Sequence, residues 1–371
     1  MLPLAGIRVV ELARILAGPW CGQLLADLGA EVIKIERPGA GDDTRHWGPP
    51  WMHDAAGGNL DAAYFHACNR GKTGRGIDIA TPEGQAEVRA LVADADVVIE
   101  NYKVGGLAKY GLDHAALSAL NPRLVTCSIT GFGQTGPYAH RAGYDFIIQG
   151  MGGAMSLTGE PDGAPQKSGV AYADIFTGVY SAVAILAALR RRDATGQGAH
   201  IDLALLDTQV GVLANQALNW MASGIVPRRW GNGHANLAPY QAFETRDGAL
   251  IVAVGNDGQF ARLNRVLCLE LDADPRFATN PARVVNRAEM LPVLEVAIAG
   301  WEKQALADAL EAAGVPAGPI NDVAEVFADP QVTARGMRID AGGVPGLASP
   351  IVIDDVRMAA PRRSPPRPAN D

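Results

Sequence analysis

The first third of the chain alternates short apolar runs with longer segments that carry helix signals. The run over 7–12 (IRVVEL) predicts a buried strand. The segment 19–28 predicts a helix, with Pro19 in its first turn and Gly29 as its stop. Further strands are predicted over 31–36, 96–99 and 124–129. This alternation indicates an α/β fold built on a doubly wound, Rossmann-like parallel sheet.

The pattern changes after the first third. A run of apolar and small residues from Asp174 to Arg190 has no polar face and predicts a buried helix. We predict a large domain over 1–225, a smaller α+β domain over 226–325, and a C-terminal segment over 326–371 that returns to the large domain. Within that last segment, the pattern over 348–358 predicts a strand that returns to the large domain. The Pro/Arg-rich tail after it is expected to be frayed.

Composition narrows the class of protein. The 32 Lys and Arg against 40 Asp and Glu give a net charge of −8, which argues against a nucleic-acid partner. A hydrophobic fraction of 48% with 19% charged residues excludes wholesale disorder. The four cysteines form no CxxC pair, and the sequence shows neither a membrane-spanning run nor a signal-peptide pattern. We therefore predict a cytoplasmic globular protein without a membrane partner.

Several short motifs fail when their context is tested. GFGQTG (131–136) matches a dinucleotide fingerprint, but Pro137 follows it where a helix should begin, so a turn is predicted and a nicotinamide cofactor is not. Gly71-Lys72-Thr73 resembles the end of a P-loop, but His66 stands where the loop needs glycine. GxSxG and HExxH are missing, and the seven histidines lack metal-ligand spacing. No bound metal and no permanent cofactor are predicted.

Asp174 is the main candidate for a functional carboxylate, because small residues surround it at the start of the predicted buried helix. One interpretation is an N-cap whose oxygens accept hydrogen bonds from the free amides of the first turn. The other is a nucleophile that a bulky substrate can approach and that the helix amides keep ionised. The two interpretations are compatible, and the residues by themselves leave both open.

Long motifs in a characteristic order resemble the family III CoA-transferases, the group of the formyl-CoA and carnitine CoA-transferases. Three of them, RPGAGDDTRHWGPP (37–50), SITGFGQTGP (128–137) and RAGYD (141–145), look closest to the succinyl-CoA:glutarate CoA-transferase branch. Others are VVIENYKVGGLAKYGL (97–112) and GVAYADIFTGVYSAVAILAAL (169–189). The matching stretches cover nearly the whole chain.

The resemblance implies an enzyme of acyl-CoA metabolism that moves CoA from an acyl-CoA such as succinyl-CoA to a short carboxylic or dicarboxylic acid such as glutarate. Asp174 would carry the group, first as an acyl mixed anhydride and then as an aspartyl-CoA thioester, so CoA is a substrate and no ATP is needed. The family's fold also implies an interlocked homodimer with the site between domains.

The resemblance further implies roles for individual residues. A glycine loop with Gly231 and Gly233 would stabilise an oxyanion, and His234 would act as an acid or base. The residues implied to bind CoA are Ile15, Leu16, Ala17, Arg37, Asn69, Arg70, Lys72, Asn101, Tyr102 and Lys109. The candidates for an acceptor pocket are Arg14, Arg45, Trp47, Arg141 and Tyr144. Formyl-CoA transferases have glutamine at the position of Leu16, which argues against formyl-CoA and oxalate as substrates.

Two other functions stay open. One is an α-methylacyl-CoA racemase, a related enzyme that pairs the aspartate with a histidine for proton transfer. Tyr144 stands where that histidine belongs, and a neutral phenol is a poor base near pH 7. The other is a non-catalytic CoA-binding protein, which the retention of Asp174 beside the glycine loop disfavours.

Overall fold

The computed structural model describes residues 1–54 and 56–369. Contacts divide the chain into two compact units. The first comprises Met1–Met155, Lys167–Ile225 and the segment from Pro330 onward, and the second comprises Ser156–Gln166 and Val226–Asp329. The domain boundaries proposed from the sequence stay a prediction.

The first unit is built from strands and helices in alternation, as the hydrophobic pattern predicts. Its strands before residue 226 are β1 (Arg8–Glu11), β2 (Glu31–Glu36), β3 (Trp51–His53), β4 (Asn59–Ala62), β5 (Thr73–Gly76), β6 (Val97–Glu100), β7 (Val125–Thr130) and β8 (Ala199–Ala204). The helices before residue 226 are α1 (Ala17–Asp27), α2 (Ala63–His66), α3 (Pro82–Ala93), α4 (His114–Leu120), α5 (Asp145–Met151), α6 (Ala154–Leu157), α7 (Tyr172–Thr195), α8 (Leu205–Gly211) and α9 (Ala214–Ser223).

Six of these strands form one sheet in the order β5-β2-β1-β6-β7-β8, and every neighbouring pair is parallel. From β1, the chain adds β2 and then β5 on one side of the sheet. It then adds β6, β7 and β8 on the other side of β1. Strand order reverses between β1 and β6, and the crevice at the carboxyl ends of such a pair is where doubly wound folds bind ligands. The predicted parallel α/β sheet is confirmed.

The sheet is covered on both faces. Val9 packs in one core together with Ile185 of α7, whereas the next residue, Val10, packs in a second core together with Val88 of α3. Successive residues of a strand point to opposite faces, so the unbroken apolar runs of the central strands supply both cores.

Helix α7 is the long helix of the first unit. Within the described residues, α7 is the helix whose length and apolar composition would suit a membrane span. The sequence had been predicted to contain no membrane-spanning run. Core helices of soluble proteins share this composition, and α7 packs along α1 and against β7 and β8. Gly178 permits that packing, because a Cβ at this position would lie 2.7 Å from the Ala17 carbonyl oxygen. Near the other end, the buried Arg192 donates to Asp96 at 2.7 Å.

The second unit is a small α+β structure. Its antiparallel sheet consists of β9 (Tyr240–Thr245), β10 (Gly248–Ala253) and β11 (Ala317–Pro319), with β10 in the centre. Its helices are α10 (Asp257–Val266), α11 (Asn280–Val285), α12 (Arg287–Ala299), α13 (Lys303–Ala312) and α14 (Val323–Ala328). Phe243, Val252 and Leu310 meet in its own apolar core.

The C-terminal segment differs from the strand predicted over 348–358. After α15 (Pro330–Ala334) come a hairpin of β12 (Arg338–Asp340) and β13 (Pro345–Leu347) and a smaller one of β14 (Val352–Ile353) and β15 (Val356–Arg357). Asp354 and Asp355 have φ values of 48° and 62°, so they turn the chain back where a single strand was predicted.

The tail was expected to be frayed, and this is wrong for the residues described up to 369. The Ala360 amide donates to Asp27 at 2.8 Å, and the Arg362 carbonyl accepts the Gly71 amide at 2.9 Å. The Gly39 amide donates to the Ala369 carbonyl at 3.0 Å. A proline-rich composition predicts only that a segment is extended. Whether the segment is bound depends on the polar groups that distant parts of the chain place beside it.

Candidate active site

A cavity of about 410 Å³ lies in the first unit at the reversal of strand order. Arg14–Ala17, which follow β1, and Asn101–Val104, which follow β6, form two of its walls. Ile129–Gly131 at the end of β7 form a third, and Tyr144 and Asp174 complete it. Among the described residues that line this cavity, Asp174 is the one acidic side chain. The sheet topology thus brings the predicted nucleophile to the place where this fold class binds ligands.

Asp174 is the third residue of α7, and its carboxylate does not cap the helix. Ala171 occupies the N-cap position and makes no side-chain cap hydrogen bond. The amides of Ala173 and Asp174 donate instead to Oδ1 of Asp145, at 3.0 and 3.4 Å. The N-cap interpretation of Asp174 is therefore wrong, because a carboxylate from α5 accepts the amides that it was expected to bind.

The electrostatics of Asp174 also differ from the expectation. Burial raises the pKa of its carboxyl to about 7, and the charge of Asp145 adds to the increase. The helix amides do not keep Asp174 ionised, because they serve Asp145. A carboxylate with a pKa near 7 is a stronger base than an ordinary aspartate, and near neutral pH it is ionised only in part.

The structure brings ten of the sequence-predicted residues together around this cavity. They are Arg14, Ile15, Leu16, Ala17, Asn101, Tyr102, Lys109, Arg141, Tyr144 and Asp174. The cations differ in their partners: Arg14 donates to Asp43 at 2.7 Å, whereas Arg141 makes no ion pair within residues 1–54 and 56–369 and stacks over Tyr138.

Arg37 lies on a second cavity of about 270 Å³. Its side chain is 65% exposed, with Asp43 at 3.9 Å as a weak partner. Arg14, Tyr102 and Tyr110 line both cavities, so the two are adjacent.

Three residues implied to bind CoA lie in the interior instead. Lys72 is 1% exposed, and its Nζ donates to Glu11 at 2.9 Å, to Asn69 Oδ1 at 2.8 Å and to the Pro19 carbonyl at 2.8 Å. Arg70 is held by Asp27 at 2.5 Å and by the Leu347 carbonyl. Each of Asn69, Arg70 and Lys72 is therefore bound within the protein through its charged or amide group, and none lines the cavity.

Two of the predicted acceptor-pocket residues also lie elsewhere. Arg45 is fully buried and donates to Glu36 at 2.7 and 2.8 Å and to Asp61 at 2.6 Å. Its guanidinium is thus neutralised inside the fold, and the sequence motif could not show which carboxylates would reach it. Trp47 packs edge-on against Tyr64 at 5.1 Å, and it does not line the cavity.

The glycine loop belongs to the second unit. The Gly231 amide donates to the Gly159 carbonyl at 3.2 Å, and the Gly233 amide donates to the Trp230 carbonyl at 2.9 Å, so neither amide is available as an oxyanion donor in this conformation. Nδ1 of His234 accepts the amides of Asn236 and Leu237 at 3.0 and 3.1 Å. The proton of a neutral His234 ring is therefore on Nε2, where it can be donated.

Three residues that interact with residues on the cavity wall were not predicted from the sequence. Asp145 was visible in the RAGYD motif but had no partner in view. Tyr64 lies close enough that the charge of Asp174 adds to burial in raising the pKa of its hydroxyl to about 12. Asp42, 2% exposed, accepts the Ile15 amide at 3.3 Å. Each depends on contacts between segments that are distant in sequence.

The doubly wound sheet and the cavity at its reversal point define a Rossmann-like α/β protein with a cavity where this fold class binds ligands. No group of three or more potential metal ligands occurs among the described residues. Residues 4–371 match the model of CoA-transferase family III, and the chain belongs to this family. It is a CoA-transferase, and enzymes of this class use CoA thioesters as substrates.

Relatives and solved structures agree with this assignment. The chain is 57% identical to a succinate–glutarate CoA-transferase of Agrobacterium fabrum over 98% of this chain and 92% of the relative. It is 44% identical to a succinyl-CoA:glutarate CoA-transferase of Mus musculus over 91% of this chain and 76% of the relative. A CAIB/BAIF family protein from Brucella suis superposes with a TM-score of 0.88 at 61% identity, covering 99% of this chain and 96% of that one.

Proposed function

We propose that this CoA-transferase moves CoA from succinyl-CoA to a short dicarboxylic acid such as glutarate, with Asp174 as the covalent carrier. The observation that carries the proposal is the position of Asp174 as the one acidic side chain among the described residues of the cavity at the reversal of strand order. The names of the relatives at 57% and 44% identity support the choice of donor and acceptor.

The chemistry proceeds in four exchanges that need no outside reactant. An oxygen of ionised Asp174 attacks the acyl carbonyl, the carbon–sulfur bond breaks, and an aspartyl–acyl anhydride and CoA thiolate form. The thiolate attacks the Asp174 carbonyl carbon and releases the donor acid, which leaves an aspartyl-CoA thioester. The acceptor carboxylate attacks this thioester and expels CoA thiolate, and the thiolate then attacks the acceptor carbonyl. The products are the new acyl-CoA and free Asp174.

We infer the position of CoA from the two adjacent cavities. We place the thioester in the cavity with Asp174 and the phosphate-bearing end toward the second cavity, where the exposed Arg37 supplies charge. Lys109 contributes a second cation on the wall of the first cavity. The backbone of Ile15–Ala17 then runs along the pantetheine arm.

Arg141 is the cation best suited to the distal carboxylate of the acceptor. Arg14 is already paired with Asp43, whereas Arg141 has no carboxylate partner among the described residues. A charge-assisted hydrogen bond contributes about 1.5–3 kcal/mol. Arg141→Gln should therefore raise KM for glutarate by about 10- to 100-fold and leave transfer to butyrate within about threefold. Equal losses for both acceptors would contradict this role.

The covalent carrier is tested by mass spectrometry of the intact protein after mixing with succinyl-CoA. The wild type should gain a CoA-sized adduct that hydroxylamine removes, and Asp174→Ala should gain none. Asp207→Ala is a matched control, because Asp207 is the exposed third residue of α8 as Asp174 is the third residue of α7. An adduct of equal yield on Asp174→Ala would overturn the proposal.

The racemase alternative receives no support from the cavity. A two-base racemase needs a second group that accepts a proton near pH 7. The described residues of the cavity include no histidine, and Tyr144 occupies the corresponding wall. Exchange of the α-proton of an acyl-CoA into deuterated solvent, with no adduct on the wild type, would reverse this preference.

We also propose that the active form is an interlocked homodimer, as the family resemblance implies. Phe176, Tyr180 and Val183 fall on one side of α7 and are 43%, 49% and 57% exposed, although the sequence predicted a buried helix. A second copy of the chain would cover this apolar surface. Light scattering that finds a stable, active monomer would refute this assembly. Cytoplasmic localisation stays a prediction.

A further inference from the structure

One backbone position beside Asp174 is strained. Ile15 has a φ of 74°, in the left-handed region that β-branched residues almost never adopt. Such a residue persists only where its surroundings hold it, and residues of this kind cluster at functional sites. Ile15 lines the cavity with Asp174, and Leu16 and Ala17 follow it along the same wall.

The peptide groups around Ile15 are fixed from three sides. The Ala13 carbonyl accepts Nζ of Lys34 at 2.8 Å. The side-chain amide of Asn101 accepts the Arg14 amide at 3.0 Å and donates to the Arg14 carbonyl at 2.6 Å. The Ile15 amide itself donates to both oxygens of Asp42, each at 3.3 Å.

Asp42 is a rigid acceptor. Its carboxylate accepts Nζ of Lys34 at 3.0 Å and both the amide and the hydroxyl of Thr44, at 3.0 and 2.8 Å. Its own amide donates to Glu36 at 2.8 Å. Burial opposes ionisation, but Lys34 and Thr44 outweigh it and lower the pKa of Asp42, so the acceptor stays charged.

We propose that Asp42 is a positioning residue for CoA transfer: its carboxylate holds Ile15 in the left-handed conformation that keeps the Leu16–Ala17 backbone on the wall facing Asp174. This role rests on the proposed function, because the wall is where the thioester would lie. The competing explanation is that Asp42 only stabilises the turn at Thr44 and the charge of Lys34.

Glycine at position 15 separates the two explanations, because glycine adopts a positive φ without strain and alanine does not. Asp42→Ala, which removes both oxygens that accept the Ile15 amide, should lower kcat by about 10- to 100-fold, the effect of a small displacement in a reacting site. In an Ile15→Gly background the same substitution should lower kcat by less than about threefold, and in an Ile15→Ala background the full loss should return. Asp27→Asn, another buried and ion-paired carboxylate, should show no dependence on residue 15.

Equal losses from Asp42→Ala in the glycine and alanine backgrounds, or no loss in the wild type, would overturn the positioning role. A second measurement does not require the Asp42 variant to fold: the Tm of Ile15→Gly should exceed that of Ile15→Ala, the reverse of the usual order, because only alanine keeps the strain. If the wild type transfers CoA between no donor and acceptor, the proposed function fails. The order of Tm values would still show whether residue 15 is held at a positive φ.

Discussion

Replacing Asp145 by asparagine removes a charge next to Asp174 and leaves the helix cap in place. Oδ1 of Asp145 accepts the amides of Ala173 and Asp174, and the oxygen of an asparagine side chain can accept them equally well. The substitution should therefore lower the pKa of Asp174 without disturbing the start of α7.

The magnitude follows from the two causes of the raised pKa. The pKa of Asp174 is raised from 3.8 to about 7, first by burial and second by Asp145. For scale, two unit charges about 6 Å apart at an effective dielectric of about 20 interact by about 3 kcal/mol, or about two pH units. Because burial is the larger cause, we expect the pKa to fall by about one pH unit, to roughly 6.

The assay is the pH dependence of kcat/KM for transfer from succinyl-CoA to glutarate between about pH 5 and 9, which reports ionisations of the free enzyme. The acid limb of the wild type should have its midpoint near pH 7, and that of Asp145→Asn about one unit lower. Relative to its own plateau, the variant should be about fivefold more active than the wild type at pH 6.

Asp113→Asn is a matched control, since Asp113 caps α4 and should not move the limb. If Asp145→Asn leaves the acid limb in place or moves it upward, then Asp145 does not tune Asp174 and the electrostatic reasoning is wrong.

Three further predictions concern stability. Asp174→Asn should raise the free energy of unfolding at pH 8 by at most about 4 kcal/mol and change it little at pH 4. The pKa of Asp174 is about 7 in the folded state against 3.8 for an ordinary aspartate, so the wild type loses stability as the pH rises between these values. Urea unfolding at both pH values tests this, and an equal effect at both would contradict it. Arg45→Met should cost about 3–5 kcal/mol, because it leaves Glu36 buried without its ion-pair partner, whereas Asp61 keeps Arg367. The exposed Arg246→Met should cost less than about 1 kcal/mol, and equal costs would show that burial is not the cause. Truncation before Ala360 should lower Tm, because it leaves the buried Asp27 without the Ala360 amide; an unchanged Tm would show that the tail contributes nothing.

The local pattern of the chain determined its regular elements. The strand predicted over 31–36 is β2 itself, and no helix begins directly after the bent segment 131–136, as Pro137 indicated. Continuous apolar runs separated by helices can bury both faces only in a parallel sheet, so the fold class follows from the sequence. The long motifs led to the family for the same reason, because they are contiguous in sequence.

The tertiary structure decided how charged residues are used. The motifs that contain Arg45, Arg70 and Lys72 read equally well as a phosphate-binding groove and as buried ion pairs, and contacts with Glu36, Asp27 and Glu11 settle where these side chains lie. Whether Asp174 caps a helix depended on Asp145, and the acceptor of the Ile15 amide is Asp42, 27 residues away. Periodicity fixes which face of an element is buried, but the partner of a buried charge comes from whichever distant segment the fold brings within about 3 Å of it.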